Sequence, residues 1–364
     1  MKQPNTLVFI VADLESGGTQ RVVTSLTNYW ADQGREISVI TFSDPDSDFF
    51  KLSPKVRRYS IGGQQNSDTF LTGLLANFQR IKALRKALTT LNSDVAIAFI
   101  AHTNILAVIA GMGLKTRILI SERNDFRRQS VGRIWDLLRR IAYPMADLVT
   151  ANSKDVVAAL GSFVPETKLA FLPNPVADLD HGTTLPDKNN TIIAVGRLHS
   201  QKAHNVLVDA FSRIEADHPN WTLEILGEGG ERPALENQIS ENNLENRVFL
   251  RGRVANVGEH LQAAKIFVMS SRFEGTPNAL LEALSAGLPS IVSDATTGGL
   301  EYVSHGENGY VFPVDDAETL GTQLTTLIES SEIREEFSLS ARTSVKNLSL
   351  SNVAETWDRT IWKT

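Results

Sequence analysis

A chain of 364 residues is longer than one hydrophobic core usually supports, so two domains are expected. It contains no cysteine, which excludes disulfides, thiolate metal sites and cysteine nucleophiles together. The formal net charge of −6 hides a split: residues 1–172 carry 21 Lys/Arg against 15 Asp/Glu, the remainder 15 against 27, and a basic first half suits an anionic partner.

The first apolar run, residues 6–12, is too short for a secretory signal, and no stretch reaches the ~20 apolar residues that cross a bilayer. A cytoplasmic location is therefore expected. Residues 6–12 read instead as a buried strand, and 19–33 as an amphipathic helix closed by Gly34. Further strands are expected at 37–42, 94–100, 117–121, 148–151 and 169–172, with helices at 70–91 and 127–143 among the intervening pieces. Strands separated by helix-length pieces require crossovers, and hence a parallel sheet. Leu172-Pro173-Asn174-Pro175-Val176 and the polar stretch to Asn190 read as a linker, because two prolines hold the chain extended. The alternation then restarts, with strands at 191–195, 221–226, 266–270 and 290–293 and helices at 205–216, 278–286 and 351–362. The fold class is α/β, two doubly wound domains in tandem.

Ligands of such sheets lie beyond the carboxyl ends of the strands. Gly17 and Gly18 follow the first strand and open a helix, where backbone amides can receive a phosphate. A glycine pair is as readily a plain turn, and the GxGxxG pattern is missing, which argues against a nicotinamide cofactor. Arg197 and Lys202 follow the first strand of the second half, and two cations beside Gly196 suit a diphosphate leaving group. Solvated surface charge is the plainer alternative. The densest stretch is 272–282. Glu274 ends a strand loop, Gly275, Thr276 and Pro277 shape a turn, and Asn278, Ala279 and Leu280 open a helix. The backbone N–H groups of this stretch are expected to point at a phosphate or sugar, with Glu282 one turn on accepting paired hydroxyls. No Asp-x-Asp pair sits where it would chelate a metal diphosphate, and the histidines do not cluster, so no metal or other cofactor is expected. Nucleic acid is not an expected partner, since the positive charge is not interleaved with aromatics.

These motifs, with others in order, resemble a known family. They are GGTQR at 17–21, ANSKD at 151–155, LPNPV at 172–176, VGRL with Lys202, and LGEGGERPALE at 226–236. RVFLRGRV at 247–254, EGTPNALLEALSAGLPSIVSD at 274–294 and GENGYVFPVDD at 306–316 follow. The pattern is similar to that of the retaining glycosyltransferases of family 4, most specifically in its two glutamates, Glu274 and Glu282. The resemblance implies two facing Rossmann-like domains of the glycosyltransferase B type with an interdomain cleft. Residues 1–172 would bind the acceptor, 173–350 would bind the nucleotide sugar, and 351–364 would pack back on the first domain. It implies that Glu274 contacts donor-sugar hydroxyls, Glu282 holds the ribose, and Arg197 and Lys202 bind the diphosphate. Gly17 and Gly18 would lie near phosphate and acceptor, and main-chain groups of Arg253 and Val254 would read the base. Many relatives carry a histidine where this chain has Arg123. Arg123 is therefore an acceptor or phosphate ligand here and not a base, and His102 is the nearest alternative histidine.

The stretches 83–88 and 114–122 are similar to bacterial enzymes that add N-acetylgalactosamine to lipid-linked saccharides, so a UDP-sugar donor and a lipid-linked acceptor are expected. Two basic amphipathic stretches fit that acceptor. One, 70–91, carries Leu71, Leu74, Leu75 and Phe78 with Arg80 and Lys82; the other, 127–143, carries Ile134 and Trp135 with Arg133 and Arg140. They suit peripheral attachment to the anionic inner face of the cytoplasmic membrane. Two other readings stay open here: an epimerase or phosphorylase on the same fold, and a catalytically silent nucleotide-sugar binder.

Overall fold

The structure, a computed structural model, describes residues 6–15, 17–62, 70–177, 179, 189–295 and 298–361, without the side chains at 70–72 and 74. Linker positions 178 and 180–188, the side chains of Leu71 and Leu74, and Trp362 lie outside the described residues. The chain divides into two units, Met1–Pro175 with Leu350–Thr364, and Val176–Ser349.

The first unit is built on seven strands: β1 (Thr6–Ile10), β2 (Glu36–Thr41), β3 (Arg57–Ser60), β4 (Val95–Phe99), β5 (Arg117–Glu122), β6 (Leu148–Ala151) and β7 (Leu169–Phe171). They pair in parallel in the order β3-β2-β1-β4-β5-β6-β7, with Phe9 opposite both Val39 and Ile97. Helices α1 (Gly18–Asp32), α2 (Phe70–Leu91), α3 (Ala101–Gly111), α4 (Arg133–Ala142) and α5 (Lys154–Leu160) supply the crossovers. Covering both faces is what lets strands such as Val95–Phe99 be apolar at every position.

The second unit repeats the plan with six parallel strands: β8 (Thr191–Val195), β9 (Thr222–Leu226), β10 (Val248–Gly252), β11 (Ile266–Met269), β12 (Ser290–Ser293) and β13 (Gly309–Phe312). Their order is β10-β9-β8-β11-β12-β13. The helices are α6 (His204–Ser212), α7 (Arg232–Glu241), α8 (Val257–Ala263), α9 (Asn278–Ser285), α10 (Ala317–Glu329) and α11 (Ser331–Val345). A last helix, α12 (Leu350–Ile361), belongs to the first unit. Its Trp357 is fully buried, edge-on to Trp30 and tilted against Phe99, and Asp358 takes a two-pronged ion pair from Arg35 at 2.6 and 2.7 Å.

The end of the first unit and the start of α4 differ from the sequence expectation for identifiable reasons. The first unit runs to Pro175 because Leu172 still donates to Ala151 O and Asn174 binds Arg123, whereas the Val176 amide donates to Leu348 O in the second unit. Helix α4 starts at Arg133, not at 127. Asp125 draws residues 126–129 into a tight turn, accepting from the Arg127 amide and guanidinium, and Gly132 enters the helix at φ 101°.

Candidate active site

In each sheet the chain reverses its direction of growth once, between β1 and β4 and between β8 and β11, and a crevice opens at the carboxyl ends of such a pair. In the second unit the segments there are 196–203 and 270–277, and they are stitched together. Ser270 Oγ donates to the carbonyls of Lys202 and Ala203 at 3.0 Å, and the Arg272 amide to Gln201 O at 2.8 Å. The turn is thereby held with Lys202 Nζ 2.5 Å from Glu274 Oε1. Gln201 Nε2 donates to Phe273 O at 3.0 Å and reaches the same carboxylate oxygen at 3.4 Å. Gly196 makes room for the lysine stem, since a Cβ there would stand 3.0 Å from Lys202 Cε. Arg197 is exposed, and its side chain makes no hydrogen bond or ion pair among the described residues. The structure thus places two cations, one paired and one open, at the carboxyl end of β8. Gln201 escaped the sequence reading because an amide between polar neighbours carries no signal of its own.

The strand ends beside them converge on glycines. Gly227 has φ 144°, its amide donates to Gly252 O at 2.8 Å, and a Cβ would fall 1.9 Å from Gly196 O. Only glycine allows that approach. The next residues on this side are Arg253, exposed, and Val254, half-buried. Arg253 lies near enough to Glu228 to help hold that carboxyl below its usual range, behind the larger effect of the Arg232 hydrogen bond.

On the other side, Gly275, Thr276 and Pro277 are buried, and Asn278 and Ala279 are half-buried. Gly298 packs on this turn so closely that a Cβ would stand 2.5 Å from Thr276 Oγ1. The Leu280 amide departs from expectation: it donates to Pro277 O at 3.2 Å, and the side chain is in the core, so it offers nothing to a ligand. A helix whose first turn closes on its own N-cap carbonyl has fewer free donors than the sequence suggests. Glu282 is buried in α9.

His204, which opens α6, was not singled out in the sequence because a helix-start histidine is usually a plain polar residue. Its ring is buried beside the Gly196 and Arg197 backbone, with neither nitrogen in a well-formed hydrogen bond among the described residues. Burial, with Lys202 close by, pushes it down to about 4. Among the described residues, no three His, Asp or Glu side chains converge as metal ligands would.

In the first unit, Gly17 and Gly18 follow β1 and enter α1, beside the β1/β4 reversal. Ile100, just after β4, is held at φ 72°, a strained conformation for a β-branched residue and one concentrated at functional sites. His102 follows it, exposed, with its ring edge-on to Trp135 at 4.5 Å. Partial burial, then the charges of Arg139 and Arg80, hold this histidine below its usual range. Arg123 does not match the expected ligand role. The residue is 6% exposed, its guanidinium turned away from solvent against Phe99 and Trp357, with Nη1 donating to Asn174 Oδ1 at 2.5 Å. Burial pulls its pKa down to about 9, which leaves it charged at neutral pH.

Two family models match. Residues 16–178 match Glycosyltransferase Family 4, and residues 177–344 match Glycosyl transferases group 1, meeting where the two units meet. A Campylobacter jejuni protein named GalNAc-alpha-(1->4)-GalNAc-alpha-(1->3)-diNAcBac-PP-undecaprenol alpha-1,4-N-acetyl-D-galactosaminyltransferase is 30% identical over 350 residues, covering 96% of each chain. A second from the same organism, an N-acetylgalactosamine-N,N'-diacetylbacillosaminyl-diphospho-undecaprenol 4-alpha-N-acetylgalactosaminyltransferase, is 28% identical over 93% of this chain and 94% of its own. Among solved structures, Anabaena HepE in complex with UDP-glucose superposes with a TM-score of 0.85 at 19% identity, covering 99% of this chain and 100% of that one. The paired Rossmann-like sheets, the order of the motifs and these matches agree: the chain belongs to family 4 of the glycosyltransferases.

Proposed function

We propose that this glycosyltransferase moves a hexose or N-acetylhexosamine from a UDP-sugar to a lipid-linked saccharide in bacterial glycan assembly, with retention and without a metal ion. The observation that carries the reading is the Lys202–Glu274 pair beside the open Arg197 at the β8/β11 reversal. Arg197 and Lys202 neutralise the diphosphate, and Glu274 accepts hydrogen bonds from hydroxyls of the donor sugar. The bond from the anomeric carbon to the diphosphate oxygen breaks, and an acceptor hydroxyl bonds to that carbon from the same face. Its proton goes to the departing phosphate oxygen, so the products are UDP and the new glycoside. Protein cations held at the strand end stabilise the leaving charge. Glu282 would hold the ribose, and Arg253, Val254, Gly275 and Thr276 would flank the nucleotide. The names of both Campylobacter relatives, which contain an undecaprenol-diphosphate-linked saccharide, support the lipid-linked acceptor, and the UDP-glucose complex supports the donor.

A membrane face fits the same reading. No helix among the described residues is long and apolar enough to cross a membrane. Helix α4 instead presents Ile134, Leu137 and Ile141 outward, 55%, 60% and 55% exposed, on one stripe beside exposed Arg133 and Arg140. Leu75 and Phe78 are exposed on α2, which packs in the same helical layer through α3. Apolar residues rimmed by arginine suit the headgroup region of an anionic leaflet, each nearby cation adding about 1 kcal/mol.

The test is to incubate the chain, with chelator present, with UDP-N-acetylgalactosamine and with UDP-galactose, each beside a polyprenyl-diphosphate saccharide, and to read product linkage by NMR. An α-linked product formed in chelator supports the proposal. A β-linked product, or a strict need for added metal, overturns it.

A further inference from the structure

Arg123 directly follows β5, the neighbour of β4 at the reversal of the first sheet, yet its environment is not that of a ligand-binding cation. The guanidinium carbon lies 5.0 Å from the centre of the Phe99 ring and 5.6 Å from that of Trp357. Among the described residues, Nε and Nη2 are buried without a hydrogen-bond acceptor, and Nη1 is bonded to Asn174. The charge of the neighbouring carboxylate, Glu122, favours the cation but offsets less than burial costs, and no hydrogen bond joins the two side chains among the described residues. Glu122 accepts from the amides of Arg123 and Asn124 and from Tyr143 Oη at 2.7 Å, and faces Arg139 at 3.6 Å. A buried cation with one polar partner is costly unless other groups offset it, and two aromatic faces do so here.

The partners come from separate parts of the chain. Phe99 ends β4. Asn174 lies in the run by which the chain leaves the first unit, and Trp357 sits on α12, by which it returns. Just beyond these contacts the outgoing and returning segments meet, the Val176 amide donating to Leu348 O at 2.8 Å and Val176 bridging Ser349.

We propose that Arg123 is a positioning residue that fastens both passages of the chain, outgoing at Asn174 and returning at Trp357, to the carboxyl edge of the first sheet, and that it meets neither phosphate nor acceptor. The passages are the covalent connection between the two units, so loosening them lowers turnover through geometry while leaving affinity alone. The kinetic part of this inference rests on the transferase reading; the structural part does not.

The test compares the full-length chain with Arg123→Met, Arg123→Lys, Asn174→Ala and the Arg123→Met/Asn174→Ala double variant. In ligand-free hydrogen exchange, Arg123→Met is expected to speed exchange about tenfold at 172–176 and 350–357 and to leave β1 and β2 unchanged. Its kcat is expected to fall about tenfold while KM for donor and acceptor stays within about twofold. Arg123→Lys, which keeps a charge over the rings, recovers part of both effects, and the double variant exchanges little faster than Arg123→Met, since the two residues act through one contact. A KM for acceptor or donor raised about fivefold or more, with exchange unchanged, makes Arg123 a ligand and overturns the proposal. Unchanged exchange and kcat overturn it as well. Should Arg123→Met fail to fold, Arg123→Lys and Asn174→Ala carry the same comparison. Should no donor support turnover in the parent chain, the transferase reading fails while the exchange result still decides the role of Arg123.

Discussion

Lys202 Nζ stands 2.5 Å from Glu274 Oε1, and the two side chains are only 16% and 11% exposed. The cation proposed for the diphosphate and the carboxylate proposed for the donor sugar are each other's counter-ion. A phosphate must therefore compete with Glu274 for Lys202. Glu274→Gln is expected to bind UDP more tightly than the parent by calorimetry while losing about 100-fold in turnover. Lys202→Ala is expected to weaken UDP binding and lose about 3–4 kcal/mol of transition-state stabilisation. Weaker UDP binding by Glu274→Gln would show that the ion pair does not oppose phosphate.

Gly227→Ala addresses the convergence of β8, β9 and β10. The new methyl would meet the Gly196 carbonyl at 1.9 Å at a backbone angle that L-residues avoid. A loss of about 3 kcal/mol or more is expected in chemical denaturation, with nucleotide binding lost alongside. A variant of parent stability would mean that the strand ends are free to spread.

His204 makes stability depend on pH. Its folded-state pKa is near 4 against an ordinary 6.5, so the folded chain keeps the ring neutral while the unfolded chain takes up a proton. The stabilisation this represents is complete above pH 6.5 and is lost as pH falls toward 4. Over that window it amounts to about 3 kcal/mol. Denaturation of the parent and of His204→Gln across this range should show the shallower dependence in the variant. Equal slopes would place the acid sensitivity elsewhere.

The stripe on α4 is open to a direct challenge, because Leu137 and Ile141 are exposed and their replacement leaves the core intact. Leu137→Glu/Ile141→Glu is expected to abolish sedimentation with anionic vesicles at low salt and to leave turnover on a short water-soluble acceptor unchanged. Parent-like vesicle binding by that variant would exclude α4 as the contact.

What the sequence conveyed follows from what each residue is surrounded by. Central strands such as Val95–Phe99 and Thr191–Val195 are buried on both faces and announce themselves as apolar runs. The strands it did not reveal, Arg57–Ser60, Val248–Gly252 and Gly309–Phe312, all lie at sheet edges, where one side faces water and the apolar run breaks up. Lys202 and Glu274 were each visible as chemistry at a strand end. Their pairing was not, because it depends on Ser270 and Arg272 drawing two loops together across 67 and more residues. The sequence shows Arg123 only by its position after a strand, and the aromatic faces that enclose it come from β4 and α12, distant in sequence.

Calorimetry of the purified chain against UDP, GDP, ADP and their common sugar conjugates bears most directly on donor use at the β8/β11 reversal. A donor that binds only the folded state also raises its apparent stability by mass action, which gives an independent reading on the same samples. The expected result is selective binding of UDP and of one UDP-sugar, lost in Glu282→Ala. Equal binding of all nucleotides, or none by any, would contradict the proposed donor and the roles given to Lys202, Glu274 and Glu282.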